Sequence, residues 1–360
     1  NVKFMGEVRA KKALGQHFLV DLNIARKICD ALSGGVRPEA GAETRAVAAG
    51  SADADAETRT RVAGYAGAGA EARTMAAGSA DAGAEARTKA TGTADADAET
   101  RRGVAASADA RLAADTTAAG APAAAEEERG GAVPCDVLEV GCGMGVLTQF
   151  LLRRGDITTY GAEIDPESVE YLHAHFPEFA PRLIEGDFLK MNLRERFPRG
   201  LKIIGNFPYN ISSQIFFKVL EHRDLVPECV GMIQKEVAVR IAEPPGSKEY
   251  GILSVLLQAW YDIEYLFTVN ETVFNPPPKV KSAVIRLRRN SVGRLGCDEA
   301  LFVKVVKASF GQRRKMIRNS LRTVFGDFGG AEHPFFTQRA EQLSVADFVQ
   351  LTNWVAANRK

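Results

Sequence analysis

The sequence predicts an α/β fold, a mostly parallel sheet with helices on both faces, followed by a small all-α carboxyl-terminal domain. Three observations support this prediction. Short apolar runs alternate with segments of helical spacing over residues 136–242. The glycine-rich segment Gly141–Gly145 separates the first of these strands from a helix. Two later runs, Ile263–Val269 and Ser282–Arg288, have the alternating character of a hairpin-like pair.

Each element follows from a local pattern. Apolar residues recur every four positions in Asp21–Ser33, which predicts a helix there. Pro166 occupies the favoured first position of another helix, and Ser212 or Ser213 is expected to cap a third. The other predicted strands are Asp136–Val140, Ile157–Ile164, Arg182–Glu185, Leu201–Gly205 and Val230–Gln234. The other predicted helices are Val146–Arg154, Lys235–Ala242 and Val345–Val355.

A low-complexity insert separates the first helix from the first strand. Residues 40–129 contain 35 alanines, and an arginine recurs every 14 residues from Arg45 to Arg101. A coiled coil would need apolar a and d positions, which hold Ala, Gly, Asp and Ser instead. A segment with so few large apolar side chains cannot bury enough surface to offset the entropy of folding, so we predict that it is an expanded linker. The alternative is that the segment is an arm that binds a partner.

The insert sets the predicted domain boundaries. We assign residues 37–130 to it, residues 1–36 and 131–290 to the α/β domain, and residues 291–360 to the helical domain.

Composition excludes other classes of protein. Charged residues make up 25% of the chain, and no uncharged apolar run approaches the roughly 18 residues of a membrane span. Residues 1–20 contain no continuous apolar core with a small-residue cleavage site, so we expect no secretory signal there. Five scattered cysteines favour a reducing, cytoplasmic setting over a disulfide framework or structural zinc.

Polar residues stand at the ends of the predicted parallel strands, where α/β sheets bind ligands. The Gly141 loop allows close approach of a ligand to backbone N–H groups, although a tight packing turn is the alternative. Glu163, 22 residues further on, can accept hydrogen bonds from ribose hydroxyls. Together they predict a nucleoside cofactor, either NAD or S-adenosylmethionine. Asp187 can accept the adenine amine or cap a turn.

The tetrapeptide Asn206-Phe207-Pro208-Tyr209 favours S-adenosylmethionine. The exocyclic amine of adenine is a poor nucleophile because its lone pair is delocalised into the ring. A methylating site therefore needs two acceptors on the amine hydrogens, which the Asn206 side chain and the Pro208 carbonyl can supply, while Tyr209 stacks on the base. A hydride-transfer enzyme has no use for this arrangement.

The motifs extend over essentially the whole chain outside the insert, in one order. The sequence resembles the ribosomal RNA adenine dimethyltransferases, the kasugamycin-resistance methyltransferases that dimethylate small-subunit rRNA. The matching motifs are KKALGQHFLVD (Lys11–Asp21), DVLEVGCGMGVLT (Asp136–Thr148), EID (Glu163–Asp165), EGDFL (Glu185–Leu189), IIGNFPYNISS (Ile203–Ser213), QKEVAVR (Gln234–Arg240), YGILSVLLQ (Tyr250–Gln258), FNPPPKVKSAVIRL (Phe274–Leu287) and FGQRRKMIRNSL (Phe310–Leu321).

The resemblance implies a seven-stranded class I, Rossmann-like methyltransferase sheet with a helical carboxyl-terminal domain. It also implies a monomeric cytoplasmic enzyme that dimethylates N6 of two adjacent adenosines in the 3′-terminal hairpin loop of small-subunit rRNA, within an immature 30S particle. The cofactor-binding residues that it implies are His17, Leu19, Gly141, Glu163, Asp187 and Asn206. The implied catalytic residues are Asn206, Pro208, Tyr209 and Phe274, with Phe274 holding the flipped base.

Three residues depart from the family's usual pattern. Cys142 stands in the glycine loop where Pro is usual, and Phe207 replaces Leu, which adds bulk near the target base. His17 stands where Asn is common, so cofactor binding would depend on pH if its ring titrates there.

The excess positive charge lies near the carboxyl terminus. The chain carries a net charge of +1, with −5 in residues 40–129 and +6 in residues 294–325, where eight Lys and Arg face two acids. Arg314, Arg318 and Arg322 are expected to share a helix face opposite a buried stripe of Ile317, Leu321 and Val324. We expect RNA contacts from Arg313, Arg314, Lys315, Arg318 and Arg322 rather than a merely solvated face.

Two other functions remain open on the sequence. A DNA adenine or protein glutamine methyltransferase would use a similar tetrapeptide, but the amino-terminal arm and the basic helix argue against both. A ribosome-assembly factor without catalysis would keep the basic helix and has no need of an intact Asn206, Pro208 and Tyr209.

Overall fold

The computed structural model describes residues 8–11, 14–34 and 134–359 of the 360-residue chain. The predicted linker, residues 37–130, lies outside the described residues, so the prediction that it is expanded stays a prediction. The strands are β1 (Phe18–Leu19), β2 (Cys135–Val140), β3 (Ile157–Glu163), β4 (Leu183–Glu185), β5 (Lys202–Asn206), β6 (Glu228–Gln234), β7 (Tyr261–Val269), β8 (Phe274–Asn275) and β9 (Ser282–Arg289). The helices are α1 (Leu22–Ala31), α2 (Thr148–Leu151), α3 (Pro166–His175), α4 (Leu193–Arg196), α5 (Ser212–Glu221), α6 (Lys235–Ala242), α7 (Ile252–Gln258), α8 (Glu299–Gly311), α9 (Ile317–Phe325) and α10 (Val345–Asn358).

Seven of the strands form one sheet in the order β4-β3-β2-β5-β6-β9-β7. The first five are parallel, and β9 runs antiparallel to both of its neighbours. This confirms the predicted fold class and the pairing of the two late runs. The chain order reverses between β2 and β5, which places a ligand-binding crevice beyond the carboxyl ends of these strands. The ends in question are the Gly141 loop and Asn206.

Alternating side chains of the strands build a core on each face of the sheet. On β2, Leu138 and Val140 face one cluster, whereas Val137 faces the other. Helices α1 and α2 cover the Val137 face. The other cluster extends through α5 and α7 into α8, α9 and α10, as with Phe302 and Phe348. The predicted domain boundary after residue 290 stays a prediction.

Two helices, α7 and α8, were not predicted from the sequence. Helix α7 buries side chains around its whole circumference, including Val255, Leu256 and Leu257, so no single apolar stripe marks it. Helix α8 buries one face, with Leu301, Val305 and Ala308 at helical spacing, and this pattern could have predicted it. The predicted serine cap of α5 is wrong: Ile211 precedes the helix and Ser212 is its first residue, donating from Oγ to the Tyr209 carbonyl at 3.2 Å. In the described residues, no helix is long and apolar enough to cross a membrane.

The end of α1 is tied to the amino-terminal edge of the sheet. Lys202 donates from Nζ to the Ser33 carbonyl at 2.8 Å, and Glu228 accepts the Ser33 N–H at 3.2 Å. Lys202 and Glu228 are the first residues of β5 and β6, and β2 begins at Cys135 on the same edge. Both described flanks of the insert therefore lie at the edge of the sheet opposite the crevice.

Deletion of Ala42–Glu128, with the flanks joined by a short flexible linker, should leave the fold intact. We expect a melting temperature within a few degrees of the parent and S-adenosylmethionine affinity within a few-fold. The physical reason is that loop-closure entropy varies only logarithmically with length and the flanks are held by contacts of their own. Calorimetry of both proteins measures these quantities. A collapse of stability would mean that the repeats pack on the domain.

Candidate active site

A cavity lies beyond the carboxyl ends of β2, β3, β4 and β5, beneath the amino-terminal arm, residues 14–19. The structure brings most of the predicted site residues to its wall. Phe274 is the exception: it is 3% exposed, pairs with Leu19 across β1 and β8, and packs in the core. Its role in holding a base stays a prediction. The predicted residues that line the cavity are His17, Leu19, Gly141, Glu163, Asp187, Asn206, Pro208 and Tyr209.

The glycine loop brings bare backbone to the cavity. Gly141, Gly143 and Gly145 have φ values of 77°, 52° and 74°, a region that side-chain-bearing residues rarely adopt. A Cβ atom on Gly143 would lie 3.1 Å from the Phe18 ring of the amino-terminal arm. Glycine therefore lets the arm pack directly on the loop, closing one side of the cavity.

Glu163 holds the loop and the end of β3 together. Its Oε2 accepts the Gly143 N–H at 2.8 Å, and its Oε1 accepts the N–H groups of Ile164 and Asp165, each at 2.9 Å. The side chain is 4% exposed, and burial raises the pKa of its carboxyl despite these three donors. Only one donor reaches Oε2, so this oxygen retains acceptor capacity on the cavity wall.

Asp187 caps a turn as well as lining the cavity. Its Oδ1 accepts the Leu189 N–H at 2.9 Å at the start of a 3₁₀ turn over Phe188–Lys190. Asp187 thus caps the turn through Oδ1, as the alternative prediction had it. Its Oδ2 lies 3.9 Å from the Lys190 ammonium. Lys218, which no sequence motif had singled out, donates to the carbonyls of Leu189 and Met191 at 2.9 and 2.7 Å and fixes this wall.

The Asn206 side chain joins the end of β5 and the loop that follows it, residues 206–211, to the amino-terminal arm. Its Nδ2 donates to the His17 carbonyl at 2.9 Å, which orients the amide and leaves Oδ1 without a donor among the described residues. Tyr209 lies 5.3 Å from the His17 ring, centroid to centroid, and its hydroxyl contacts Ser282 Oγ at 2.5 Å. The loop is thus held from two sides.

The Phe207 ring packs in the core. Its ring lies against Gly205 and Gly231, where an added Cβ on Gly231 would approach it to 2.5 Å, and it packs edge-on to Phe216 at 5.9 Å. The residue is 1% exposed. The two glycines leave room for the larger ring in the core, and Phe207 is also one of the residues that line the cavity, so its effect on a target base stays a prediction.

The amino-terminal arm is latched across the cavity. Gln16 donates to Asp165 Oδ2 at 3.2 Å, and Lys11 forms ion pairs with Asp165 and, at 3.1 Å, with Glu167. Asp165 is fully buried, and its pKa is lowered by the donors from Lys11 and Gln16, which outweigh the effect of burial. These contacts hold His17 and Leu19 over the site.

Glu139 is a buried carboxyl on the cavity wall that sequence analysis missed. It is 1% exposed, and Thr148 donates to its Oε2 at 2.6 Å. Burial, with the nearby Glu163 charge adding to it, raises the pKa of Glu139 to about 8. The side chain is therefore protonated at neutral pH.

Glu139→Gln should make the stability less dependent on pH. Because the folded protein holds this proton more tightly than the unfolded chain, the parent's free energy of unfolding falls as pH rises from about 4.5 toward 8. The steepest contribution is roughly 1.4 kcal/mol per pH unit. Urea unfolding at pH 5, 6, 7 and 8 measures it, with the exposed Glu178→Gln as control. Parallel pH profiles for parent and Glu139→Gln would contradict the assignment.

The basic carboxyl-terminal segment differs in part from its prediction. Ile317 and Leu321 are fully buried as expected, but Val324 is 58% exposed, because it lies in the last turn of α9 and borders a groove between α8 and α9. Arg314 precedes α9, so it does not share a helix face with Arg318.

The predicted arginines also differ in their partners. Arg318 and Arg322 pair with Glu332 and Asp327, acids that follow the segment. Arg313 donates to the carbonyls of Lys248 and Tyr250. Among the described residues, the side chains of Arg314 and Lys315 have no ion-pair partner, so these two cations are available to a ligand.

The sheet order, the antiparallel strand β9 and a cavity at the strand ends lined by the glycine loop, Glu163 and Asp187 define a class I methyltransferase that uses S-adenosylmethionine. The family model described as ribosomal RNA adenine dimethylase matches residues 134–357, and the chain belongs to this family.

Comparison with individual proteins agrees with the family. The chain is 61% identical over 218 residues to ribosomal RNA small subunit methyltransferase A of Parabacteroides distasonis, covering 60% of this chain and 81% of the relative. The corresponding protein of Porphyromonas gingivalis is 59% identical over 220 residues, covering 60% and 84%. A solved dimethyladenosine transferase from Plasmodium falciparum is 26% identical with a TM-score of 0.51, covering 62% of this chain and 90% of that chain.

Proposed function

We propose that this chain uses S-adenosylmethionine to dimethylate N6 of two adjacent adenosines in the 3′-terminal hairpin loop of small-subunit rRNA. It acts as a monomer in the cytoplasm on an immature 30S particle, during small-subunit biogenesis. The observation that carries the proposal is the Asn206 amide, whose Nδ2 is bound by the His17 carbonyl and whose Oδ1 is left as an acceptor. Such an oriented acceptor at the tip of β5 suits the amine of an adenine.

The cavity fits the proposed cofactor by the chemistry of its donor set. The glycine loop offers backbone, and Glu163 Oε2 has acceptor capacity for a ribose hydroxyl. Asp187 has one oxygen that is not used in capping and can accept the adenine amine. His17 and Leu19 close the cavity from the arm. Bound there, S-adenosylmethionine supplies an electrophilic methyl group on its sulfonium.

The residues of the tetrapeptide activate the target amine by orientation. Before the first transfer, Asn206 Oδ1 and the Pro208 carbonyl, which also accepts the Ile211 N–H at 3.2 Å, each accept one amine hydrogen. This turns the nitrogen lone pair out of the ring plane and toward the methyl group. Before the second transfer, the one remaining hydrogen is held by one of these acceptors. Tyr209 stacks on the base, and its hydroxyl bond to Ser282 keeps the ring in place. No strong general base is needed, because the amine becomes cationic when it receives the methyl group and then loses a proton to water.

The RNA contacts of the carboxyl-terminal helices come chiefly from the cations that lack internal partners. Of Arg313, Arg314, Lys315, Arg318 and Arg322, the structure leaves Arg314 and Lys315 exposed and without an ion pair among the described residues. The exposed ion pairs of Arg318 and Arg322 are worth little to stability, and phosphate can compete for them, so those arginines contribute less.

Charge reversal at Arg314 and Lys315 should weaken subunit binding more than reversal at Arg318 and Arg322. We expect a loss on the order of ten-fold or more for Arg314→Glu with Lys315→Glu, and a drop in salt dependence of about one slope unit per lost phosphate contact. Binding to unmethylated small subunits across a salt series measures both pairs. Equal effects of the two pairs would contradict this ranking.

Methyl transfer from labelled cofactor to immature small subunits, followed by nucleoside analysis, tests the proposed function. We expect dimethyladenosine, two per subunit. A chain that binds subunits and forms no dimethyladenosine would instead be an assembly factor without catalysis. Transfer to DNA or protein in place of rRNA would also overturn the proposal.

A further inference from the structure

We propose that three exposed lysines beside the active site, Lys235, Lys279 and Lys281, bind backbone phosphates of the RNA strand that carries the target adenosine. We call these three side chains the rim lysines. The inference rests on the proposed function, since it names the path by which the RNA reaches that site. It concerns a surface of the α/β sheet, separate from the carboxyl-terminal helices.

Backbone pairing places the rim lysines together. Lys235 follows Gln234, the last residue of β6, and Lys281 precedes Ser282, the first residue of β9. Gln234 and Ser282 are register partners, and the Lys235 N–H donates to the Lys281 carbonyl at 2.9 Å. Lys279 stands two residues earlier in the loop that enters β9. The three lysines therefore occupy the carboxyl-terminal edge of the sheet, the same edge as the cavity.

Direct contacts connect this edge to the loop after β5, which contains Pro208 and Tyr209. Ser282, which follows Lys281, contacts the Tyr209 hydroxyl at 2.5 Å. At the other end of the loop that enters β9, the Pro276 carbonyl accepts His17 Nδ1 at 2.9 Å. The β6 strand lies beside β5, whose last residue is Asn206. An RNA strand whose target base reaches Asn206 and Tyr209 therefore has its phosphate backbone beside the rim lysines.

The charge of the rim lysines is not neutralised within the described residues. All three are exposed, and none has an ion pair there. The nearest acid in sequence, Glu236, pairs with Arg240 at 2.8 Å. Val280, between two of the lysines, is 46% exposed and offers an apolar contact to a sugar or base. Unopposed cations interleaved with an apolar side chain suit single-stranded RNA, which is bound by backbone charge and by contacts to its unpaired bases.

The test compares two double variants that each remove two positive charges. Lys279→Gln with Lys281→Gln changes the rim, and Arg196→Gln with Arg199→Gln is the matched control. The control residues are exposed, have no ion pair among the described residues, and precede β5 at the opposite edge of the sheet. Equilibrium binding to unmethylated small subunits is measured from low to high salt, and cofactor binding and melting temperature confirm that both variants are folded.

We expect the rim variant to bind subunits on the order of ten-fold more weakly than the parent, with a salt slope lower by about 1.4, or ~0.7 per single-strand phosphate contact. Adding Lys235→Gln should extend both effects, and the control should match the parent. A rim variant with parental affinity and slope, or a control that loses as much, overturns the inference. Failure of the parent protein to bind subunits also overturns the inference. Because binding is measured without methyl transfer, a parent that binds but does not methylate refutes the proposed function alone.

Discussion

Asn206→Ala is expected to lower the rate of methyl transfer about 30- to 1000-fold, the equivalent of on the order of 2–4 kcal/mol in the barrier. The substitution removes one of the two acceptors that we propose orient the target amine. It also removes the Nδ2 donor to the His17 carbonyl, so the arm over the cavity loses a hydrogen bond and cofactor affinity should fall modestly. Single-turnover methylation at saturating cofactor separates the two effects.

Gln214→Ala is the matched control for this experiment. Gln214 lies in the first turn of α5, directly after the loop, is exposed, and its side chain makes no hydrogen bond among the described residues. We expect its rate to stay within a few-fold of the parent. Near-normal single-turnover rates for Asn206→Ala would refute the orientation mechanism, and equal losses for both variants would indicate damage to the loop as a whole.

Glu163→Gln is expected to weaken S-adenosylmethionine binding about 10- to 150-fold, because hydrogen bonds to a charged acceptor contribute about 1.5–3 kcal/mol. The carboxylate accepts three backbone N–H groups in the free protein, and an amide can offer only one oxygen to them. The Gly143 loop or the end of β3 therefore loses an acceptor as well. Titration calorimetry with the cofactor measures the affinity, and thermal melting measures the cost to the fold.

The pH dependence of the same binding provides a second readout. Burial raises the pKa of Glu163, so the ionised form is lost as pH falls through a value above its usual range. Parent affinity should then decline at acidic pH and approach that of Glu163→Gln, which does not titrate. The exposed Glu170→Gln on α3 should follow the parent throughout. If Glu163→Gln binds as tightly as the parent at pH 7, then Glu163 does not hold the ribose.

The sequence alone was sufficient to predict that Gly141, Glu163, Asp187 and Asn206 lie together. Each ends or follows a strand of period and composition typical of a buried parallel sheet, and the carboxyl ends of parallel strands meet at one edge. Local information thus determines both the strands and their shared edge. The same holds for Ile317 and Leu321, whose helical spacing placed both in the core.

Only the tertiary structure decided which groups hold these residues in place. The Gln16–Asp165 bond joins residues 149 apart, the Asn206–His17 bond joins residues 189 apart, and no local pattern encodes such partners. Long-range packing likewise put Phe274 in the core rather than on the cavity wall.

The electrostatic properties depend on the fold for the same reason. Glu139 is protonated at neutral pH because the folded sheet removes it from water, and Arg318 is paired because Glu332 returns to it across a turn. Burial and ion pairing are properties of the surroundings of a side chain, which the chain acquires only when distant segments pack together. The sequence therefore determined the chemistry that is present at the site, and the tertiary structure determined the charge, orientation and availability of each group.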